Sequence, residues 1–563
     1  LHTDLDSLSY VNVNYEAGSN SEFVPGTRVG LLSDSWGWMN DIRTVTASKF
    51  FVIYGAAGTG KSTFAHEICN QLQRKRMLGA WFFFLHDDAN RGSTAKVVPT
   101  IAYQLARSQP VFLPYIANAA REYTDKHQSE SSEVQFDFEL LIMDPLKEAQ
   151  ALSDSDSGNP IVIVLDALDE ADGDLVNLLR SLKILADKHE RIRILITTRP
   201  ESAVVKSFDE AEVDAKSKQA VMENIPRNDA DGDIRIFFKS RFESLRCGKK
   251  LLDTHPDAID TLTKKADRLF IYARTVINYL DHKVRKVSLQ RFADILSDDA
   301  GVVGMPALDI LYTTILQDAF DDDAMNNRDV RLRVTAVLAG LVLDGQMIPE
   351  VLAPLMGLSE DAVIRTVEEL RSVLSCDGED LQTAVIRPHH LTFAEFLVDD
   401  KRCTNSAFHI DRRACHLDFA KACLGSLNTI LHRNLCGWSN DNSSKSEEER
   451  HSLVQEFVPA HTLYASKNWT AHLVKVEQPS DPALLRGLDE FCKKNLLPWI
   501  EVRAFAGNLN EAREMLRDAL SWAKVSVTLH FGFTLLKYNG VLSGTPQPRS
   551  YFEDSIRRME ISG

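Results

Sequence analysis

Short continuous apolar runs alternate with longer stripes of helical period over the first two hundred residues. Phe50-Phe51-Val52-Ile53-Tyr54 joins aromatic and β-branched residues without interruption. Such a run suits a strand buried on both faces of a parallel sheet. Leu78–Leu85, Ile161–Leu165 and Arg191–Thr198 repeat the signature, and Pro200 stops the last of them. Between the strands, Phe64, Ile68 and Leu72, flanked by Ala65 and Cys69, place one apolar stripe on a helix at four-residue spacing. A second helix is expected from Val97 through Leu105. A lead-in helix carrying Leu31, Leu32, Trp36 and Met39 should follow the turn Val24-Pro25-Gly26-Thr27-Arg28. This alternation predicts an α/β core with a parallel sheet flanked by helices.

Beyond residue 201 strand signals largely vanish. Ile234, Phe237, Phe238, Phe242 and Leu245 make a helical stripe, as do Ile259, Leu262, Ala266, Leu269 and Phe270. An acidic interruption at Asp318–Asp329 precedes three further helices, Val334–Leu343, Val351–Met356 and Val363–Leu374. A short strand, Thr383–Arg387, follows and is stopped by Pro388. Helices followed by a short hairpin are the outline of a winged helix. Residues 452–523 read as helical again, with Trp469, Phe491, Leu496, Leu497, Trp499, Phe505 and Trp522 expected in the core. The resulting plan is a 1–23 linker, a 24–205 core domain, a 206–300 helical domain, a 301–405 winged-helix domain, a 406–523 second helical domain and an atypical 524–563 tail. Polar loops are expected at 125–133, 151–159 and 440–449.

Composition adjusts this picture in three ways. At 563 residues the chain exceeds a single core, so about three to five domains are expected. A formal net charge of −16 argues against nucleic acid as a partner, because phosphate backbones need basic surface. The expected recognition helix also carries Asp361, Glu368 and Glu369. Eight scattered cysteines with no C-x2-C pair suit reduced thiols and a cytoplasmic location. No apolar run approaches a membrane span, and no signal-peptide pattern is present. The chain opens on Leu1 rather than Met and is read as a fragment.

The candidate chemistry begins where the first strand ends. Gly55-Ala56-Ala57-Gly58-Thr59-Gly60-Lys61-Ser62 fits G-x4-G-K-[ST], and Thr63 continues into the helix. Glycines let backbone N–H groups curl around a β-phosphate, Lys61 reaches β/γ oxygens, and Ser62 can ligate Mg²⁺. The helix N-terminus adds orphan donors and a positive dipole end. A buried strand ending in Asp166 leaves its carboxylate at the ligand-binding sheet edge, where it can hold Mg²⁺. Asp169 or Glu170, a few residues on, can orient and deprotonate an attacking water. Thr197, Thr198 and Arg199 should emerge at the same edge. Arg199 there is either a γ-phosphate sensor or an ordinary salt-bridged loop arginine.

Taken together, Gly55–Ser62, Asp166-Ala167-Leu168-Asp169-Glu170 and Thr197-Thr198-Arg199-Pro200 resemble the NACHT-type STAND signal-transduction NTPases. The resemblance is strongest to fungal NOD-like receptors and their nephrocystin-like N-terminal P-loop region. Pro25-Gly26-Thr27-Arg28, Pro99–Ala106 and His390–Leu397 extend it over roughly residues 24–520. It implies an ATP/ADP-controlled switch with Mg²⁺, closed with ADP and opening and oligomerising with ATP, in fungal self/non-self recognition or programmed cell death. Hydrolysis would be slow, and the implied partners are the protein itself and an effector protein. It also implies that His390 approaches the ADP phosphate and latches the closed state. Arg268 stands where the family usually has glycine, and Phe270 where plant and animal relatives have a base-contacting proline. Two other readings of the same motifs remain: a remodelling ATPase of the AAA+ type with continuous turnover, and a scaffold stabilised by nucleotide.

Overall fold

The computed structural model describes residues 23–40, 48–85, 90–127, 134–151, 159–200, 202–209, 220–225, 228–281, 289–297, 302–378, 380–437, 447–476 and 481–526, with Leu5, Leu8 and Tyr10. Most of the expected 1–23 linker, of the three polar loops and of the 524–563 tail lies outside these residues. The chain divides into two compact units, Leu1–Ile315 with His390–Thr392, and Leu316–His389 with Phe393–Gly563.

In the first unit, β1 (Phe50–Tyr54), β2 (Leu78–Phe83), β3 (Ile161–Asp166), β4 (Ile192–Thr198) and β5 (Ala220–Asn224) form one sheet in the order β2-β3-β4-β1-β5. All neighbouring pairs are parallel. Period-two alternation shows how β1 sits in it. Phe50 and Val52 join one apolar cluster, with Val97, Ile101, Leu105 and Leu182, while Phe51 and Ile53 join another, with Leu31, Phe64, Ile68 and Leu72. Each face of the sheet is therefore covered by helices. The second cluster draws on α1 (Val29–Asn40) and α2 (Lys61–Arg74). The first draws on α3 (Thr94–Ser108), α4 (Leu113–His127) and α5 (Leu175–Lys188). This is the P-loop NTPase arrangement expected from sequence. Strand β4 lies between β1 and β3, so the ends of three neighbouring strands share one edge.

Strand β5 corrects the expectation that strand signals end near residue 201. It pairs with β1 at the sheet edge and is half-buried, ending on Glu223 and Asn224. An edge strand needs no continuous apolar run, so the pattern that marks β1 and β3 is absent from it. Helices α6 (Ala230–Ser244), α7 (Ala258–Ala266), α8 (Phe270–Leu280) and α9 (Met305–Ala319) follow, with α6 packed on α7 and α8.

The second unit is mostly helical. Helices α10 (Arg328–Asp344), α11 (Pro349–Leu355) and α12 (Glu360–Glu369) precede an antiparallel hairpin of β6 (Leu374–Asp377) and β7 (Val385–Pro388). The helix expected to run to Leu374 stops at Glu369, because Leu374 and Ser375 pair across the hairpin with Pro388 and Arg387. Helix α13 (Leu391–Val398) comes next, then α14 (Arg412–Ile430), α15 (Ala460–Leu473), α16 (Pro482–Glu490), α17 (Leu496–Phe505) and α18 (Leu509–Ser526). Trp469 and Trp499 are fully buried and meet edge-to-face at 5.8 Å, with Phe491 against both. Leu497, also expected in this core, is 37% exposed. All eight cysteines are free thiols. No described helix is long and apolar enough to cross a membrane.

Candidate functional site

The glycine-rich turn is held by sterics on its inner side. A Cβ on Gly55 would lie 2.0 Å from the Ile225 carbonyl oxygen, which follows β5, so only glycine lets β1 exit there. Gly58 adopts φ +79° and Gly60 φ +89°, the left-handed region that turns successive N–H groups toward one centre. Ala56 is exposed and Ala57 half-buried at the tip. The buried Thr59 hydroxyl donates to the Ala56 carbonyl at 2.8 Å, so its side chain braces the loop and only its backbone can serve a ligand. Lys61, Ser62 and Thr63 open α2, where backbone N–H groups have no partner within the helix. Lys61 Nζ donates to the carbonyls of Gly55 at 2.7 Å and Ala56 at 2.9 Å. Burial lowers its pKa, while Asp169, Asp166 and Glu170 oppose that shift.

Those acids arrive from β3. Asp166 is buried, and its Oδ1 accepts a short hydrogen bond from the Thr197 hydroxyl on β4. The same hydroxyl oxygen accepts the Ala167 N–H at 2.9 Å. Ala167 has φ +57°, an uncommon conformation for a residue with a Cβ, and it turns the chain into the short 3-10 segment Leu168–Glu170. Asp169 is then spanned by one residue: the Arg199 N–H reaches Oδ1 at 3.0 Å and the Arg199 Nε lies 3.2 Å from Oδ2. Both oxygens of Asp169 are therefore engaged by Arg199. Arg199 is a salt-bridged arginine at the end of β4, its side chain 33% exposed.

His390 groups with the first unit rather than with the hairpin before it. Its ring Cε1 lies 4.0 Å from where a Cβ on Gly58 would stand. The Thr392 N–H donates to His390 Nδ1 at 3.1 Å, which puts the neutral ring's proton on Nε2. Thr392 Oγ1 lies 2.9 Å from the same Nδ1 and 2.9 Å from the Tyr312 hydroxyl. Burial, followed by the charges of Arg274, Lys61 and Arg199, lowers the His390 pKa to about 3.

Sequence reasoning used Arg28 only as part of a flanking motif. Arg28 adopts φ +55° and is buried; its guanidinium donates to the Thr59 carbonyl, lies 3.9 Å from Asp233 and stacks 4.8 Å from the Phe270 ring centroid. The first turn of α8 meets the same loop, with the Ile271 N–H donating to the Gly58 carbonyl at 3.0 Å. These braces come from residues far apart in the chain, so no local spacing announces them. Arg268 departs from the usual glycine at a position with φ +66°, which accounts physically for a glycine preference there.

The sequence model of the family described as "Nephrocystin 3, N-terminal" matches residues 31–199. No curated protein matches the chain. Among solved structures, the Aeropyrum pernix ORC1 protein in complex with DNA is similar at 13% identity and a TM-score of 0.31, over 69% of this chain and 94% of that one. Drosophila ORC bound to DNA is similar at 12% identity and a TM-score of 0.28, over 73% and 100%. The Aeropyrum pernix ORC2 protein in ADPNP–ADP complexes is similar at 12% and 0.30, over 71% and 94%. At such scores the likeness assigns this chain no ligand and no role. It does require one correction. Two of these three structures contain DNA, so the expectation that set nucleic acid aside in favour of self-assembly and an effector protein is withdrawn. The physical reason is that a net charge of −16 averages over the whole surface and says nothing of any local face. What residues 31–199 match, from within α1 to the residue after β4, is the nephrocystin 3 N-terminal region.

Proposed function

We propose that the first unit binds ATP and ADP and works as a slow nucleotide-controlled switch of the NACHT type, as in fungal NOD-like receptors. The reading includes a role in self/non-self recognition or programmed cell death. The observation that carries it is the convergence of Lys61, Asp166, Glu170 and Arg199 at one sheet edge, with His390 beside Gly58. Backbone N–H groups of Gly58–Thr63 would cradle the phosphates, with Lys61 exchanging its two loop carbonyls for phosphate oxygens. Ser62 and Asp166 fit Mg²⁺ because both offer hard oxygen donors, and Thr197 fixes the Asp166 carboxylate in position. Bound Mg²⁺ would supply charge neutralisation at the phosphates. Glu170 orients a water, and Arg199, held by Asp169, stands to register the terminal phosphate. His390, with its proton on Nε2, can donate to a phosphate oxygen and so favour the closed state.

The test is turnover by the purified chain with Mg²⁺ and ATP. A switch hydrolyses about one ATP and then retains ADP, and Glu170→Gln prolongs the ATP-bound state. Steady release of many ATP equivalents per minute would contradict the switch and favour a remodelling ATPase.

A further inference from the structure

Two peptide units of the glycine loop are held by their carbonyls from outside the motif. The Gly58 carbonyl accepts the Ile271 N–H at 3.0 Å from the first turn of α8, and the Thr59 carbonyl accepts the Arg28 guanidinium. A trans peptide is planar, with its C=O and N–H pointing opposite ways. Fixing those two carbonyls therefore turns the Thr59 and Gly60 N–H groups to the other side of the loop, and neither can swing without breaking a clamp. Arg28 is itself held. It is 4% exposed, its Nε lies 3.9 Å from Asp233 Oδ2 on α6, and its guanidinium stands 4.8 Å from the Phe270 ring centroid. Burial raises the Asp233 carboxyl pKa, while a hydrogen bond from the Arg28 backbone N–H and the Arg28 charge oppose that shift. Gly60 lies against both side chains: the position of a Cβ there is 3.6 Å from Arg28 Nη2 and 3.7 Å from the Phe270 ring.

We propose that Arg28 is a positioning residue for the nucleotide: by holding the Thr59 carbonyl it presets the Gly60 N–H toward the phosphates, and Asp233 and Phe270 keep Arg28 in place. This rests on the nucleotide reading given above and adds residues that the phosphate-loop motif does not contain. Arg28 acts from behind the loop and touches no phosphate itself. A donor fixed before binding need not be ordered on binding, which raises affinity. Lysine cannot fully replace Arg28, because one ammonium cannot donate to the carbonyl, face the carboxylate and stack on the ring together. Since Asp233 belongs to α6 and Phe270 to α8, the Gly60 donor is set only while both helices stay docked on the loop.

Equilibrium titration of the purified chain with ADP and with inorganic pyrophosphate, each with Mg²⁺, tests the proposal. Pyrophosphate has no base or ribose and reads the loop alone. Arg28→Met is expected to weaken both ligands by a similar factor, about tenfold or more, as loss of one well-placed donor to an anion does. Arg28→Lys should recover part of that loss. Asp233→Asn keeps the shape of the side chain but removes the charge facing the guanidinium, and should weaken both ligands by about threefold. Scanning calorimetry of each ligand-free variant fixes a temperature at which it is folded, where a purely structural role would leave both affinities unmoved. If Arg28→Met does not fold, Asp233→Asn and Arg28→Lys carry the comparison. Changes of less than about twofold for both ligands in the folded variants overturn the proposal, as does a loss for ADP alone, which would assign Arg28 to the base or ribose. A native chain that binds ADP but not millimolar pyrophosphate overturns it too, since a preset loop should hold pyrophosphate unaided. Native binding of ADP that Lys61→Ala abolishes keeps the nucleotide reading intact in each of these cases. A native chain that binds neither ligand overturns that reading first, and the proposal with it.

Discussion

Both units contain histidines with depressed pKa values, yet the two settings differ in kind. In the second unit the hydrogen bonds form a closed chain. The Tyr464 hydroxyl donates to Asp344 Oδ2 and lies 2.8 Å from His472 Nε2, and His472 Nδ1 lies 3.0 Å from His416 Nδ1. One assignment of protons satisfies every link: His416 Nδ1–H to His472 Nδ1, His472 Nε2–H to the tyrosine oxygen, and the tyrosine O–H to the carboxylate. Burial, helped by Lys475 in both cases, holds His416 at about 4 and His472 at about 3. This chain ties α10, α14 and α15 together and is complete without any ligand. In the first unit, the charges of Arg274, Lys61 and Arg199 add to burial in lowering the His390 pKa, while Asp169, Asp166 and Glu170 oppose the lowering at Lys61. A closed chain of matched donors and acceptors reads as structure, whereas a glycine-rich loop whose lysine rests on two loop carbonyls reads as a place for an anionic ligand.

The largest expected effect falls on ligand binding. Lys61→Ala should weaken ADP by about a hundredfold while moving the thermal midpoint of the ligand-free chain little, since its two loop hydrogen bonds are partly exposed. Calorimetric titration and differential scanning of the same preparation check both halves. A Lys61→Ala chain that binds ADP normally would remove the contrast between the units.

Tyr464→Phe should do the reverse. It leaves the half-buried Asp344 acceptor and His472 Nε2 without the hydroxyl that links them, at a cost of about 2 kcal/mol in stability. Denaturant titration should show the loss, with ADP affinity unchanged.

The pH dependence follows from the same histidines. Their folded pKa values lie below the ordinary imidazole value of 6.5, so the unfolded chain binds more protons between about 3 and 6.5. Stability from these groups is therefore full above the unfolded value and is lost as pH falls through that window. ADP should blunt the loss contributed by His390, because nearby phosphate favours its protonated form, and should leave the His416–His472 share unaltered. Urea midpoints measured from pH 7 to pH 5, with and without ADP, give the comparison.

The smallest effect concerns the backbone. Arg268→Gly should raise stability by about 1 kcal/mol, because glycine adopts φ +66° without the clash a Cβ makes. Its ion pair with Asp231, at 3.9 Å between partly exposed groups, offsets little of that gain.

These contrasts also mark where the sequence was legible. Strands β1 and β3 begin and end where their apolar runs do, because burial on both faces demands an unbroken run. The loop pattern and the acid that ends β3 were legible along the chain because each is a local run of residues. Strand β5 escaped because an edge strand tolerates polar residues, and β6 because Leu374-Ser375-Cys376-Asp377 has no strong period of its own. The pairing of Asp169 with Arg199 could not be read along the chain, since the two lie thirty residues apart. Arg28 was missed as a brace of the loop because only folding brings its guanidinium to the Thr59 carbonyl.

The most direct test of the central claim is the nucleotide released when the freshly purified native chain is denatured. The account predicts close to one ADP per chain, and none from Lys61→Ala. A native chain that releases no nucleotide and takes up none from micromolar ATP with Mg²⁺ would contradict it.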